Sequence, residues 1–428
     1  MRLLSAFLAL VPLLLLGPLA TARGQLVIDL GRGPVVLQIP DSYDGSTPAP
    51  LILNLHGYGS NGFEQEVYWQ LLPEVEERGI LYMYPSGTVD PQGSGFWNAT
   101  DACCNFFGSS VDDSSYLRDL IEEARSLLLV DSRRIYVVGL SNGGFMSHRM
   151  ACDHADVVAA IVSQAGATFN DPADCNPTEP VDVLQIHGTN DSTIGFNGGS
   201  IFGSQYPSAV GTAERWATLN GCTLTQDTSA GNINVVANLP GMETTITRWI
   251  DSCQEGGSAE LWTIQNGVHV PNLSNPFPRL VVDYLLAHPK PSLGSNYCSS
   301  TANSTGEPAI ISASGSLSVG AADLILRAGP MPAGQSGLFY YGPDTAAVPF
   351  GNGTRCVAAG SLGLHRFPPR AVTSGGELIE FVDYDAMAPG PGQILPGSTW
   401  NMQCWYRDPG AGGAFFDLSD AVSLTFDL

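Results

Sequence analysis

Ser141, which lies between glycines, is the residue whose sequence context most clearly indicates a catalytic role. The stretch 139–143, GLSNG, satisfies the pattern G-x-S-x-G; the strand-like run 135–138 precedes it and a helical pattern follows it. A serine on such a sharp turn needs flanking glycines, because larger side chains would collide with neighbouring elements. The turn also aims the backbone N–H of Asn142 and the helix N-terminus at an oxygen that gains negative charge. We therefore predict that Ser141 is a nucleophile and not part of an ordinary Gly-rich turn.

A serine hydroxyl needs a base to remove its proton, and an acid to orient that base. In an architecture where the nucleophile follows a strand in this way, the acid and then the histidine come later in the chain. Asp191 follows the strand-like run VDVLQIHG, and His269 follows the run AELWTIQNG. The order and the placement after strands predict a catalytic triad of Ser141, Asp191 and His269.

Other histidines and acids have structural interpretations. His56 and His187 each precede a glycine at the end of a strand-like run, so we expect them to order the loops that follow. Asp112 and Asp113 precede a helical pattern and are expected to cap it. Asp182 lies at the beginning of its strand, which is the wrong end for a catalytic acid.

The second oxyanion donor is expected in the loop NLHGYGSNG, where the backbone N–H of Tyr58 is the candidate and its ring is available to cover the acyl group. The Gly-rich loop 192–208, which carries Phe196, is expected to shape the substrate pocket. Trp97 fits either a wall of the acyl site or an ordinary core position.

Short apolar strands alternating with helices predict an α/β fold with a mostly parallel central sheet over residues 24–290. Ligand sites in such sheets lie at the carboxyl ends of the strands, where the candidate residues fall. Residues 291–305, rich in Pro, Ser, Gly and Asn, are predicted to be a linker. Residues 306–428 contain short alternating runs between turns, which predict a smaller antiparallel β-sandwich.

Composition and the N-terminus limit the function classes. The net charge is −23 with a single lysine, so nucleic acid and anionic membrane surfaces are poor partners. Residues 1–22 combine Arg2, an apolar run and small residues near position 22, the pattern of a secretory signal peptide. We therefore predict export, and no later segment is apolar enough for membrane insertion. Nine cysteines then imply disulfides with at least one thiol left over, and their spacing matches no metal site.

Several motifs together resemble the secreted esterase family that includes polyhydroxybutyrate depolymerases, feruloyl esterases and acetylxylan esterases. In order, they are LHGYGSNG, FWNATDACCN, VDDSSYLRDLI, RIYVVGLSNGGFMSHRMAC, LQIHGTND, WATLNGC and GVHVP. The resemblance covers about residues 25 to 290. It implies an α/β-hydrolase fold, no cofactor, and the same triad. One departure lies beside the histidine, where relatives often carry an aromatic residue and this chain has Val270 as the substrate-side contact.

The resemblance also suggests roles for six cysteines. It implies a bridge between Cys222 and Cys253. The other four are Cys103, Cys104, Cys152 and Cys175, for which three connectivities are open. We favour the two adjacent cysteines each bonding a separate partner, because a bond between them would strain the intervening peptide.

These observations lead to the hypothesis of an extracellular serine esterase that forms an acyl-enzyme. Its expected substrates are feruloyl or acetyl esters on plant polysaccharide, or polyester chains of the polyhydroxybutyrate type. The alternatives are a secreted binding protein that kept the hydrolase scaffold without catalysis, and a peptidase with the same triad. The C-terminal sandwich either contacts a polymer surface or is a structural appendage, and its aromatic residues, expected to be exposed, do not decide between the two; they include Tyr340, Tyr341, Trp400 and Trp405.

Overall fold

The computed structural model describes residues 24–45, 47–320, 322, 324–373, 375–384, 387 and 390–427. The predicted signal peptide, residues 1–22, lies outside these ranges. No helix in the described part of the chain is both long enough and apolar enough to cross a membrane.

The first part of the chain forms a ten-stranded sheet. Residues 24–264 supply its strands and four short strands outside it: β1 (Gly24–Ile28), β2 (Val35–Ile39), β3 (Ala49–Leu55), β4 (Leu81–Met83), β5 (Thr88–Val89), β6 (Gly95–Phe96), β7 (Val130–Leu140), β8 (Ala160–Gln164), β9 (Asp182–Gly188), β10 (Gly199–Ile201), β11 (Ser204–Tyr206), β12 (Asn232–Ile233), β13 (Thr244–Trp249) and β14 (Ala259–Ile264). The sheet order is β1-β2-β4-β3-β7-β8-β9-β14-β13-β12, while β5 pairs with β6 and β10 with β11. All neighbours from β4 to β14 are parallel, which confirms the mostly parallel sheet.

Six helices cover both faces of this sheet: α1 (Gly62–Trp69), α2 (Leu72–Glu77), α3 (Asp113–Leu127), α4 (Asn142–Asp153), α5 (Ala209–Leu219) and α6 (Phe277–Ala287). Side chains alternate along β3, so Leu51 and Leu53 point to one face and Ile52 to the other. The first face packs against α3, α4 and α5, and the second against α1, α2 and α6. Both faces of a parallel sheet are thus buried, as the apolar strands require. This architecture is the predicted α/β-hydrolase fold.

The C-terminal part contains antiparallel sheets. Its strands are β15 (Ser295–Tyr297), β16 (Ile310–Ser314), β17 (Ile325–Gly329), β18 (Ser336–Gly342), β19 (Asp344–Phe350), β20 (Gly353–Ala358), β21 (His365–Arg366), β22 (Arg370–Ala371), β23 (Leu378–Phe381), β24 (Thr399–Arg407) and β25 (Phe416–Thr425). One sheet runs β15-β25-β24-β18-β21 with β22 also on β18, a second runs β16-β17-β23, and β19 pairs with β20. The first two sheets share one apolar core, which fits the predicted sandwich. The predicted linker 291–305 contains β15, which pairs with the last strand.

The structure corrects one disulfide prediction. Cys152 pairs with Cys175, with their Cα atoms 5.0 Å apart, so neither is available to the adjacent cysteines. Those two, Cys103 and Cys104, bond to each other across a cis peptide, with Cα atoms 3.0 Å apart. The prediction of separate partners for them was wrong.

The remaining cysteines follow the expected pattern. Cys222 pairs with Cys253, as the resemblance implies, and Cys298 pairs with Cys356 in the C-terminal sheets. Cys404 is left as a buried free thiol, so the odd count is accounted for. Four disulfides fit a protein that folds in an oxidising, extracellular compartment.

Candidate active site

The predicted nucleophile stands between the end of β7 and the first turn of α4. Ser141 has φ 55° and ψ −116°, a strained combination for a residue with a side chain. Its N–H donates to the carbonyl of Gln164 on β8 at 2.7 Å. A Cβ added to Gly139 would lie 2.5 Å from the carbonyl of Gly143, and one added to Gly143 would lie 2.0 Å from the carbonyl oxygen of Leu55. Glycine is therefore a steric requirement at both positions, for the reason predicted.

The three predicted triad residues meet at the carboxyl ends of their strands. Ser141 follows β7, Asp191 follows β9 and His269 follows β14. His269 Nε2 lies 2.9 Å from Ser141 Oγ, and His269 Nδ1 lies 2.7 Å from Asp191 Oδ2. Both are hydrogen-bond distances, so hydroxyl, imidazole and carboxylate form one continuous series.

The carboxylate of Asp191 is held in its ionised form. Its side chain has no exposed surface, and burial alone would raise its pKa. Hydrogen bonds from His187, from His269 and from backbone N–H groups oppose that effect and hold the pKa well below its ordinary value. Asp191 Oδ1 accepts from the N–H groups of Thr193 and Ile194 at 2.8 and 2.9 Å. The acid therefore enters any reaction as an anion with fixed orientation.

The two predicted oxyanion donors lie beside the nucleophile. A Cβ on Gly57 would lie 3.4 Å from the Cβ of Ser141, so the loop that carries Tyr58 runs against the serine. The N–H of Tyr58 makes no backbone hydrogen bond within the described residues. Asn142 is the first residue of α4, where N–H groups have no acceptor within the helix. Both N–H groups are thus free to bind an oxygen that gains charge at Ser141.

Two side chains fix backbone segments near Ser141: His56 fixes the loop that carries Tyr58, and Asn142 fixes the backbone at Trp97. His56 Nδ1 donates to the carbonyl of Gly57 at 2.7 Å, while its Nε2 accepts from the N–H of Gly87 at 2.9 Å. Burial lowers the pKa of His56, so the neutral ring that this pattern requires is favoured. The Asn142 amide makes two hydrogen bonds with the backbone of Trp97, at 2.7 and 2.9 Å. His56 therefore orders the loop, as predicted.

The predicted substrate contacts fall in different environments. Trp97 has no exposed surface, and its indole N–H donates to the carbonyl of His56, so it supports the site from the core and does not line it. Tyr58 and Phe196 are partly exposed, and the Phe196 ring packs edge-on against His187. Val270 is 52% exposed and directly follows His269.

One aromatic neighbour of the site was missed. The ring of Phe106 lies 5.0 Å from the ring of Tyr58 and 5.0 Å from that of Phe202, which is 90% exposed at the turn between β10 and β11. The three rings make an apolar surface that begins at Tyr58, in the loop after β3. The sequence signal was the pair Phe106-Phe107 in an otherwise polar loop next to two cysteines.

Comparisons with known proteins find similar sequences among named esterases. The chain is 29% identical over 245 residues to feruloyl esterase B of Piromyces equi, covering 55% of this chain and 42% of that protein. It is 25% identical over 241 residues to feruloyl esterase D of Neurospora crassa, covering 56% of this chain and 74% of that protein. The chain thus spans less than half the length of the first of these relatives. No family model matches the chain.

Among solved structures, an acetyl xylan esterase from Aspergillus awamori superposes with a TM-score of 0.43 at 16% identity. The superposition covers 61% of this chain and 98% of that one. The fold assignment rests on the sheet order and on the sharp turn at Ser141 between β7 and α4, which we call the elbow. The chain is therefore similar in sequence to proteins named feruloyl esterases, and its own sheet order is that of an α/β-hydrolase fold.

Proposed function

We propose that the protein is an exported serine esterase that hydrolyses carboxylic esters through an acyl-enzyme. The observation that carries this proposal is the hydrogen-bonded series from Ser141 Oγ through His269 to Asp191. Relatives named feruloyl esterases support ester hydrolysis in preference to peptide hydrolysis or simple binding. Export is supported by the four disulfides.

The mechanism uses only side chains and backbone groups of this chain. His269 takes the proton of Ser141, whose oxygen attacks the ester carbonyl. The N–H groups of Tyr58 and Asn142 stabilise the oxyanion, and Asp191 stabilises the imidazolium. His269 then gives its proton to the leaving alcohol. A water molecule, activated by the same imidazole, releases the acid and restores the serine.

The first experiment compares wild type with Ser141→Ala on a p-nitrophenyl ester of a short acid. We expect the substitution to lower kcat by about 10⁶-fold, as removal of a triad nucleophile does elsewhere. The melting temperature should change little, since the variant keeps the same backbone. Equal rates in the two proteins would refute the enzyme proposal.

The substrate class that we propose is the feruloyl or acetyl ester of a plant polysaccharide, with polyester chains as the second candidate. The C-terminal sheets are proposed to contact the polymer. A panel of feruloyl, acetyl-xylan, hydroxybutyrate and aromatic polyester substrates ranks these classes by kcat/KM. An amide of the preferred acid belongs in the same panel, and its faster turnover would favour a peptidase.

A further inference from the structure

A chain of buried polar side chains lies behind the acid, and the mechanism above does not use it. Its members are less than 2% exposed: His187 and Gln185 on β9, His148 on α4 and Trp216 on α5. Buried polar groups of this kind are costly unless each finds a partner of the right type. The partners here form one connected series.

Trp216, the member farthest along the series from Asp191, determines which atoms donate and which accept. The indole N–H of Trp216 can only donate, and it lies 2.9 Å from His148 Nδ1, which must therefore accept. Burial lowers the pKa of His148 to about 4, although its bond to Gln185 opposes the effect, so the ring is neutral at neutral pH. Its single proton is then on Nε2, which donates to Gln185 Oε1 at 3.0 Å.

This bond fixes the amide of Gln185. Because its oxygen faces His148, its nitrogen donates to the carbonyl of Gly166 at 2.9 Å and to His187 Nδ1 at 3.2 Å. His187 Nδ1 is therefore an acceptor, and its proton is on Nε2. That nitrogen donates to the carbonyl of Ile194 at 2.8 Å and lies 3.3 Å from Asp191 Oδ2.

The carboxylate of Asp191 thus has two imidazoles near the same oxygen, Oδ2. A proton added to His187 would make an imidazolium 3.3 Å from the acid. The Asp191 carboxylate would then interact with two cations, and the His269 imidazolium would be less stabilised. The second proton would have to sit on His187 Nδ1, where the Gln185 NH₂ group already points.

We propose that Trp216, His148 and Gln185 hold His187 as a neutral donor, so that Asp191 stabilises a single imidazolium, that of His269. All four are positioning residues, and the proposal rests on the esterase function proposed above. The same series ties α4, which begins after Ser141, to β9, which leads to Asp191. It therefore also keeps nucleophile and acid in register.

The test is Gln185→Glu, which replaces the NH₂ donor that faces His187 by an oxygen that can only accept. A carboxylate at this position accepts from both histidines, so His187 can carry protons on both nitrogens. We expect kcat to fall about 10- to 100-fold with KM nearly unchanged. The acidic limb of the kcat/KM profile should move to lower pH, because the catalytic imidazolium loses stabilisation.

Two variants separate polarity from packing. Gln185→Met has a similar shape but offers no carboxylate to accept a hydrogen bond from a protonated His187 Nδ1, so it does not stabilise the doubly protonated ring. It should lower kcat only a few-fold without moving the pH profile. Gln403→Glu places the same change at another fully buried glutamine, in the C-terminal sheets, and should leave kinetics unchanged. Equal kinetic effects of Gln185→Glu and Gln185→Met would overturn the proposal.

Nitrogen NMR of the histidine rings tests the proposal without turnover or mutation. In the wild-type protein at neutral pH, we expect the ring proton of both His148 and His187 to be on Nε2. A doubly protonated His187, or a proton on its Nδ1, would refute the proposed polarity. This result stands even if no ester is hydrolysed, which would overturn the esterase proposal alone.

Discussion

The main sheet and the C-terminal sheets differ in whether the residues that follow their strands come close together. In the main sheet, Ser141, Asp191 and His269 all follow parallel strands, so they meet at one edge. In the C-terminal sheets, antiparallel strands end at both edges, and no such convergence is built in. The difference teaches that chain order locates a site in a parallel sheet and carries little such information in an antiparallel one.

Aromatic residues of the C-terminal sheets illustrate the antiparallel case. Tyr340, Tyr341 and Trp400 were expected to be exposed, but all three are buried, and only Trp405 stays partly exposed. Adjacent residues of β18 point to opposite faces, so one of the two tyrosines should face solvent. Both are buried because a second small cluster, which includes Cys356 of β20, covers the outer face. The expectation of exposure was therefore wrong for three of the four.

The largest expected difference between the two regions is the effect on kcat of replacing a buried acid. Asp191→Asn keeps the shape of the acid but removes the charge that orients and stabilises the base. We expect kcat to fall about 10⁴-fold, the size seen for this change in other triads. The comparison variant is Asp417→Asn, at an acid that is also buried but lies in the C-terminal sheets, and it should leave kcat unchanged. A small loss for Asp191→Asn would remove this residue from the triad.

The second effect is on folding. Gly143→Ala forces a Cβ to within 2.0 Å of a backbone oxygen in β3, which neither neighbour can relieve by rotating a side chain. We expect a loss of more than about 4 kcal/mol in the free energy of unfolding, or failure to fold. Gly320→Ala, in the C-terminal part, meets only a hydroxyl at 3.7 Å and should change stability by less than about 0.5 kcal/mol. Denaturant unfolding of both variants provides the measurement.

Sequence patterns captured much of the main sheet for these steric and topological reasons. The turn at Ser141 could be predicted because only glycine fits at 139 and 143. The convergence of Ser141, Asp191 and His269 could be predicted because they follow strands in a fixed order. Helices α1 and α2 were missed, although Asn61 caps α1 and Glu64 stands in its first turn, the usual start signal. The pairing of Cys103 with Cys104 was missed because spacing along the chain does not reveal that Cys152 and Cys175 meet.

The buried series behind the acid shows the limit of sequence patterns. His187 could be assigned a bracing role from its position before a glycine. Its partners Gln185, His148 and Trp216 lie on three elements, up to 68 residues apart for one bond, and only the fold brings them together. Hydrogen-bond direction also depends on which atom meets which, and residue types alone do not supply that.

The third effect is the pH dependence of stability, which has opposite signs in the two regions. The pKa of Asp191 is lowered in the folded state, so its contribution to stability is present above the unfolded pKa of about 4 and is lost in acid. Burial raises the pKa of Asp420, although hydrogen bonds oppose it, so the folded state favours the protonated form. Its contribution is greatest in acid and is lost as pH rises through the folded pKa.

Unfolding free energies from pH 3 to 7 check this contrast. The stability of wild type relative to Asp191→Asn should increase as pH rises, and that of wild type relative to Asp420→Asn should decrease. Each variant replaces a carboxylate by an amide of the same shape, so each is a control for the other. Parallel slopes for the two pairs would contradict the opposite pKa shifts.

The smallest effect concerns the one unpaired thiol among the described residues. Cys404 lies in the core of the C-terminal sheets with no exposed surface, and burial raises its pKa well above the ordinary value. Thiolate is the reactive form, so the folded protein should give no reaction with a thiol reagent at pH 8, whereas the unfolded protein should give one thiol. Ser141, the other candidate nucleophile, should react with an organophosphonate in the folded state and lose that reactivity on unfolding. The two reagents therefore test opposite expectations: Ser141 should react only in the folded protein, and Cys404 only after the fold opens. Labelling of Cys404 in the folded protein would show that the C-terminal core opens under conditions in which the elbow stays formed.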